Sequence, residues 1–102
     1  MSTSETDLHS VFAEAVQVTD DVLAVELVDG RTITVPLSWF PRLAQGTAEE
    51  RAHWRFVGRG EGIHWPDLDE DISVKSLLAG RRSDETQESL EKWLASRVSR
   101  PA

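Results

Sequence analysis

Three stretches near the start of the chain, 14–18, 22–27 and 31–37, carry apolar residues at every second position. This period of two is typical of strands that bury one face and expose the other. Asp29-Gly30 lies between the second and third stretches and is a signal for a turn between paired strands. The pattern therefore predicts three short strands, of which the last two form a β-hairpin.

The faces of the predicted hairpin decide the length of its turn. A two-residue turn at Asp29-Gly30 would pair Val25 with Thr34 and mix apolar and polar side chains on each face. A three-residue turn, Val28-Asp29-Gly30, pairs Val25 with Ile33 and keeps one face apolar. Because register follows the buried face, we expect the three-residue turn, with its glycine in the left-handed position of a type I turn plus bulge.

Helix and strand signals alternate in the middle of the chain. Thr47 and Glu50 have the spacing of a capping box, which predicts a short helix over 48–53. The stretches 54–57 and 62–65 then predict two further strands, joined by a connection rich in glycine.

Two more helices are predicted in the last third. Ser73 is a suitable N-cap for a helix over 74–79, which Gly80 ends. A last helix, beginning near residue 84 or 85, has a narrow apolar stripe on an otherwise charged surface. The apolar residues that we expect the first of these helices to bury are Val74, Leu77 and Leu78.

These elements predict an α+β fold with a small antiparallel sheet of about four or five strands, two or three short helices and a C-terminal amphipathic helix. A length of 102 residues suits one domain. We expect residues 1–10 to be a disordered or frayed tail, 11–80 to form the domain, and 81–102 to append the last helix to it. Trp39, Trp54 and Trp65 are expected in the core.

The composition limits the cellular compartments and the classes of partner that we expect for this chain. The chain has no cysteine, which excludes disulfides and thiolate metal sites and fits a reducing compartment. No apolar run approaches the ~20 residues that span a bilayer, and the acidic N-terminus does not resemble a secretory signal. We therefore expect a cytoplasmic protein without a membrane partner. A net charge of −7 disfavours binding to nucleic acid, because an acidic surface repels phosphate.

The acidic stretch 67–71 is the most suggestive chemical feature. Asp67, Asp69 and Asp71 alternate as at the start of a calcium loop, but the glycine and glutamate that such a loop needs later are absent. A looser divalent-cation site that includes His64 stays open. The alternative is a solvated turn whose carboxylates favour the N-terminus of the following helix.

Catalytic and nucleotide sites are not predicted. The glycine run 58–62 is followed by Ile63-His64-Trp65-Pro66, which cannot begin the helix that a dinucleotide site requires. No serine stands in a nucleophile-elbow motif. The sequence therefore predicts a protein that is not an enzyme and has no cofactor.

The last helix offers the best candidate contact for a partner. Its apolar residues are few, so the seam of Leu90, Trp93 and Leu94 suits docking either on its own domain or on a partner. Tryptophan is enriched among the residues that dominate binding energy. We expect these three residues to bind a protein partner or a second copy.

The chain also resembles a widespread bacterial family of short proteins of unknown function, from about Val16 to Gly80. The residues that carry the resemblance are Asp29-Gly30-Arg31, Val35-Pro36-Leu37, Trp39-Phe40-Pro41-Arg42-Leu43, Glu49-Glu50-Arg51, Ile63-His64-Trp65-Pro66 and Leu68-Asp69-Glu70-Asp71-Ile72-Ser73-Val74. The resemblance implies a compact α+β domain and supplies no activity, cofactor or catalytic residue.

The genomic setting of these relatives suggests a second functional class. They are often encoded beside another very small protein, as in toxin–antitoxin pairs, and some carry an added helix-turn-helix domain. Here one helix after residue 80 is too little for that domain. The first hypothesis is a non-enzymatic protein-interaction domain. An antitoxin-like or regulatory partner of a neighbouring small protein is the alternative, and a divalent-metal or small-ligand protein is the weaker third.

Overall fold

The computed structural model describes residues 11–98, in which six strands form two three-stranded antiparallel sheets. Sheet 1 has the order β1-β2-β3, and sheet 2 has the order β4-β5-β6. The strands are β1 (Ala13–Val18), β2 (Val22–Leu27), β3 (Thr32–Pro36), β4 (Arg55–Val57), β5 (Gly62–Trp65) and β6 (Glu70–Ser73). The α+β class is confirmed, but the strands divide between two sheets instead of joining one sheet of four or five.

Four α-helices and one 3₁₀ turn complete the described chain. The 3₁₀ turn is Leu37–Trp39, and the helices are α1 (Pro41–Gln45), α2 (Ala48–Ala52), α3 (Val74–Leu78) and α4 (Gln87–Val98). The 3₁₀ turn, α1 and α2 separate the two sheets along the chain. The tail predicted for residues 1–10 lies outside the described residues. Within residues 11–98, no helix is both long and apolar enough to span a bilayer.

The hairpin has the predicted register. Val25 pairs with Ile33, and Leu23 pairs with Val35. The Leu27 amide donates to the Arg31 carbonyl at 2.8 Å, and the Gly30 amide donates to the Leu27 carbonyl at 3.0 Å. Gly30 has a φ of +97°, as the left-handed position of the three-residue turn requires.

One hydrophobic core joins the two sheets. Leu23 and Val25 of sheet 1 belong to the same buried cluster as Ile63 and Trp65 of sheet 2. The Trp65 indole donates to the Arg51 carbonyl at 3.0 Å, which satisfies its polar edge. Of the three tryptophans predicted in the core, Trp65 is fully buried, whereas Trp39 and Trp54 are half-buried and pack against the cluster.

Strand β6 was not predicted. The sequence indicated a solvated turn through residue 71, whereas the structure pairs Ile72 with Ile63 of β5. Ser73 ends the strand and caps α3, since its hydroxyl accepts the Ser76 amide at 3.0 Å. The burial predicted for Leu78 is wrong. This side chain is 38% exposed, because the short helix buries Val74 and Leu77 and ends at Leu78.

The capping predictions for the other helices have mixed outcomes. Both bonds of the capping box form at α2: the Glu50 amide donates to the Thr47 hydroxyl at 3.1 Å, and the Thr47 amide donates to the Glu50 carboxylate at 2.9 Å. Helix α4 begins at Gln87, later than predicted, because the Thr86 hydroxyl accepts the Ser89 amide at 3.0 Å and caps it.

Candidate functional site

The four residues considered as cation ligands belong to three separate contacts. His64 and Asp71 are cross-strand neighbours, and their Nδ1 and Oδ1 atoms lie 2.6 Å apart. Asp67 lies 2.7 Å from Nδ1 of His53, and Asp69 lies 3.4 Å from a guanidinium nitrogen of Arg42. Within residues 11–98, no three histidine, aspartate or glutamate side chains lie close enough to hold one metal ion together.

Helix α4 docks on its own domain through Leu90 and Trp93. Leu90 is only 9% exposed, and the half-buried Trp93 ring packs against the core cluster. The guanidinium carbon of Arg42 lies 5.0 Å from the centroid of this ring, and that of Arg97 lies 4.7 Å from it. Both distances are within the range of cation–π attraction. We call Trp93 with these two arginines the tryptophan clasp.

Two carboxylates fix the arginines of the tryptophan clasp. Arg42 Nε lies 2.6 Å from Glu85 Oε1, and Arg97 Nη2 lies 2.8 Å from Glu50 Oε1. The hydrogen bond from Arg42 holds the pKa of Glu85 below its usual value, and the one from Arg97 does the same for Glu50. Since Arg42 is in α1 and Glu50 is in α2, these ion pairs tie both ends of the 85–98 segment to the domain.

The same arginines also hold the turn between β5 and β6. Arg42 donates to the Asp69 carbonyl at 3.1 Å, and Arg97 donates to the Asp67 carbonyl at 3.4 Å. The tryptophan clasp therefore connects α4 with the acidic stretch that the sequence singled out, although the contacts there are mainly to backbone oxygens.

An open groove of about 540 Å³ runs beside α4. Trp93 forms part of its wall, and Leu94 on the same helix is half-buried. Lys92 is 78% exposed and pairs with Glu88 at 3.7 Å. Residues that line the groove include Arg42, Asp69, Ser89, Lys92 and Trp93. This groove combines the Trp93 ring with charged side chains of both signs, of which Lys92 and Glu88 are exposed.

Glu70 is a titratable group that the sequence analysis did not single out. It pairs with the fully buried Trp65 across β5 and β6 and so points toward the core-facing side of sheet 2. Burial raises the pKa of Glu70 to about 7, although the nearby Arg42 opposes the shift. Its alternation with buried Ile72 was the available signal, but it is readable only once 70–73 is recognised as a strand.

The sequence analysis also did not predict the two arginines of the tryptophan clasp or the glutamates that pair with them. Arg42 and Glu85 are 43 positions apart, and Glu50 and Arg97 are 47 apart. No periodic pattern connects residues at such separations, so only the folded chain brings them together.

The comparisons with known proteins agree with this fold. The model of a family described as "Protein of unknown function (DUF2442)" matches residues 13–83. No curated protein matches the chain.

Two solved structures are similar to it. A crystal structure of a protein of unknown function from Rhodospirillum rubrum has a TM-score of 0.64 and 24% identity, and the match covers 79% of this chain and 98% of that one. A solution NMR structure of an uncharacterized protein from Chromobacterium violaceum has a TM-score of 0.65 and 22% identity, with 93% and 84% covered. At these identities the likeness concerns the fold alone.

Proposed function

We propose that this chain, which belongs to the DUF2442 family of proteins of unknown function, is a non-enzymatic protein-interaction domain. The observation that carries the proposal is the open groove beside α4, where the half-buried Trp93 of the tryptophan clasp forms part of the wall. In this proposal Trp93 and Leu94 contact the partner, and Leu90 supports them from beneath as a buried anchor.

The residue types at this groove suit an interface. Tryptophan and arginine are the residues most enriched among binding hot spots. Arg42 is 17% exposed and is already held by Glu85, so a partner that contacts it does not have to order a free side chain. Side chains fixed before binding reduce the entropic cost of association.

The groove lies where the residues matched by the family model meet the helix that follows them. Helix α4 follows residue 83, where the match ends, while Arg42 and Asp69 lie inside it. We therefore expect the interaction to depend on the joint between the family domain and its C-terminal helix.

Charge reversal at Lys92 tests the proposal without disturbing the tryptophan clasp. Lys92→Glu alters an exposed cation in the groove, and Lys75→Glu on α3 makes the same charge change outside it. We expect Lys92→Glu to abolish self-association in sedimentation velocity, or capture of a bacterial protein by the immobilised chain, while Lys75→Glu leaves the complex unchanged.

Two results would contradict the proposal. One is a strictly monomeric chain that retains no protein at high concentration. The other is a complex that Lys92→Glu and Lys75→Glu weaken equally, because such a complex would depend on overall charge and not on the groove.

A further inference from the structure

Strand β6 leaves one edge of sheet 2 open. Within residues 11–98 it pairs with β5 alone. The Val74 amide donates to the Glu61 carbonyl, which continues the β5–β6 register as a hydrogen-bonded pair. Hydrogen-bonded and non-bonded pairs alternate in an antiparallel ladder, so the amides of Asp71 and Ser73 and the carbonyl of Asp71 point to the open edge.

Each face of sheet 2 has a hollow beside this edge. On the outer face, a hollow of about 410 Å³ is lined mainly by apolar surface around Val57, Gly62 and Ser73. Gly62 contributes no side chain there, and Val57 is 44% exposed. On the core-facing side, a smaller cavity of about 250 Å³ lies between β6 and residues 81–84. Neighbouring strands are about 5 Å apart, so the side chains that an added strand directs to the core-facing side would reach the smaller cavity. Those on the outer face would lie beside Asp71 and Ser73, at the rim of the apolar hollow.

Glu70 lines the smaller cavity, and the nearby Arg42 attracts its carboxyl without forming an ion pair with it. No side-chain hydrogen bond or ion pair from residues 11–98 reaches it, and its oxygens are not sealed from the surface. Asp84 lines the same cavity. Arg81 and Arg82 also line it, but the guanidinium of Arg82 lies over the Trp39 ring, 4.9 Å from its centroid. A partly buried carboxylate without a partner favours a cationic group.

We propose that the open edge of β6 binds an extended segment of a partner protein in which basic and apolar side chains alternate. The segment adds a strand through main-chain hydrogen bonds to Asp71 and Ser73. It places a basic side chain against Glu70 and an apolar one beside Ser73, at the rim of the apolar hollow. Main-chain bonds with pockets for alternate side chains are the recognised features of strand addition.

A second copy of this chain does not suit the edge. Two antiparallel β6 strands paired symmetrically about Asp71 would place the two Asp71 carboxylates opposite each other, and like charges across paired strands are destabilising. A basic segment meets the same carboxylates with opposite charge. The surface is separate from the groove at α4, so this inference goes beyond the proposed function and does not depend on it.

The probe is the capped peptide Lys-Val-Lys-Val-Lys, titrated into ¹⁵N-labelled full chain. We expect saturable amide shifts at Asp71 and Ser73, and no shifts at Trp93. The matched peptide Glu-Val-Glu-Val-Glu should not bind. A third peptide, N-methylated at alternate residues, keeps the charge but cannot form the main-chain bonds and should also fail to bind.

Glu70→Gln keeps the shape of the side chain and removes its charge. We expect it to weaken binding of the basic peptide about tenfold, the usual effect of losing a charge-assisted hydrogen bond. Glu26→Gln, on the exposed face of β2, is the matched control and should leave affinity unchanged.

Four outcomes would overturn the inference. Equal binding of the acidic peptide would assign the edge to Arg81 and Arg82 instead of Glu70. Equal binding of the N-methylated peptide would exclude strand addition. Shifts confined to the groove at Trp93 would place the peptide on the other surface, and the absence of any saturable shift at millimolar peptide would remove the site.

Discussion

Glu70 has its unusual position because β6 has only four residues and ends a sheet. Alternation places Glu70 and Ile72 on the core-facing side, and Ile72 is 4% exposed. The carboxyl of Glu70 is thereby partly withdrawn from water, and this desolvation disfavours its charged form.

The raised pKa of Glu70 predicts a stability that falls with pH. The folded protein holds this proton up to about pH 7, whereas the unfolded chain releases it near 4.5, so folding loses free energy as pH rises between these values. The shift corresponds to about 1–2 kcal/mol once solvent screening of a partly exposed group is allowed for. Urea unfolding at pH 5 and pH 8 measures it. Glu70→Gln should flatten this dependence and stabilise the protein at pH 8.

The control for that experiment is Glu26→Gln. Glu26 is exposed on sheet 1, and its replacement should leave the pH dependence as in the wild type. If Glu70→Gln and wild type lose stability in parallel from pH 5 to pH 8, Glu70 does not titrate in this window.

Two glycines with the same backbone conformation predict different costs of substitution. Gly30 and Gly60 have φ values of +97° and +98°. A Cβ at Gly30 meets nothing within 4 Å, whereas one at Gly60 would lie 2.4 Å from the Ala13 carbonyl oxygen. Gly30→Ala should therefore cost about 1 kcal/mol, for the left-handed conformation alone. Gly60→Ala should cost about 3 kcal/mol or more, because the contact with β1 must also open.

Thermal and urea unfolding of both variants measure the difference. If the close contact between Gly60 and β1 matters, Gly60→Ala has a lower free energy of unfolding than Gly30→Ala. Equal losses would mean that β1 moves aside freely and that the bond from the Ala13 amide to the Gly60 carbonyl, 2.8 Å in the structure, contributes little.

Among the elements, the hairpin could be predicted in detail and β6 could not. Apolar residues alternate at Leu23, Val25 and Leu27 on β2 and at Ile33 and Val35 on β3, so only one register keeps this face buried. Strand β6 has a single buried apolar residue, Ile72, among carboxylates that are typical of turns. Ile72 is buried because it pairs with Ile63 of β5, and nothing in the sequence of 67–73 alone indicates that pairing.

Helix α4 was predicted from the sequence. Its apolar stripe identified Leu90 and Trp93 as residues that contact either the helix's own domain or a partner. The sequence could not show which residues of the domain contact this helix. Arg42 and Glu50 come from two five-residue helices more than forty positions away, and ion pairs leave no periodic signal. The contact of Trp93 and Leu94 with a partner stays a prediction.

The tryptophan clasp predicts that Trp93→Ala releases α4 while the sheets persist. The variant removes the ring that packs on the core and both cation–π contacts, each about 0.5–1 kcal/mol at such sites. Hydrogen exchange should show faster exchange of the amides of 87–98, with those of β2 unchanged.

Trp54→Ala is the matched control for the tryptophan clasp. Trp54 packs on Phe56 with ring centroids 5.0 Å apart and is half-buried like Trp93. Its loss should speed exchange in β4 and leave α4 protected. Unchanged protection of 87–98 in Trp93→Ala would show that Leu90 and the ion pairs hold the helix without the ring.

For the whole molecule, the sequence did not predict that the six strands divide into two sheets. Alternation identifies strands and neighbouring hairpins, but it does not tell whether hairpins join edge to edge. The match over 13–83 confirms that the chain belongs to a family of unknown function. The resemblance implied the α+β class but did not give the order of the strands. The 3₁₀ turn and two helices over 37–52 carry the chain between the sheets and pack Leu37 and Leu43 into the core.

The shared core predicts that the two sheets unfold together. Val25 of sheet 1 and Ile72 of sheet 2 lie in one buried cluster, and β1 is bonded to the turn between β4 and β5. Val25→Ala and Ile72→Ala should each cost about 2–4 kcal/mol, since each leaves a cavity in that cluster. Because small domains with one core unfold cooperatively, each variant should lower the urea midpoint of both sheets equally.

Amide signals of Leu23 and Ile63, followed by NMR through a urea titration, report on sheet 1 and sheet 2 separately. Coincident midpoints in the wild type and in both variants are the expected result. A variant that lowers the urea midpoint of its own sheet alone would show that the two sheets unfold as independent units. The coupling matters for binding, because a strand added at β6 can be held firmly only by a sheet that the rest of the core stabilises.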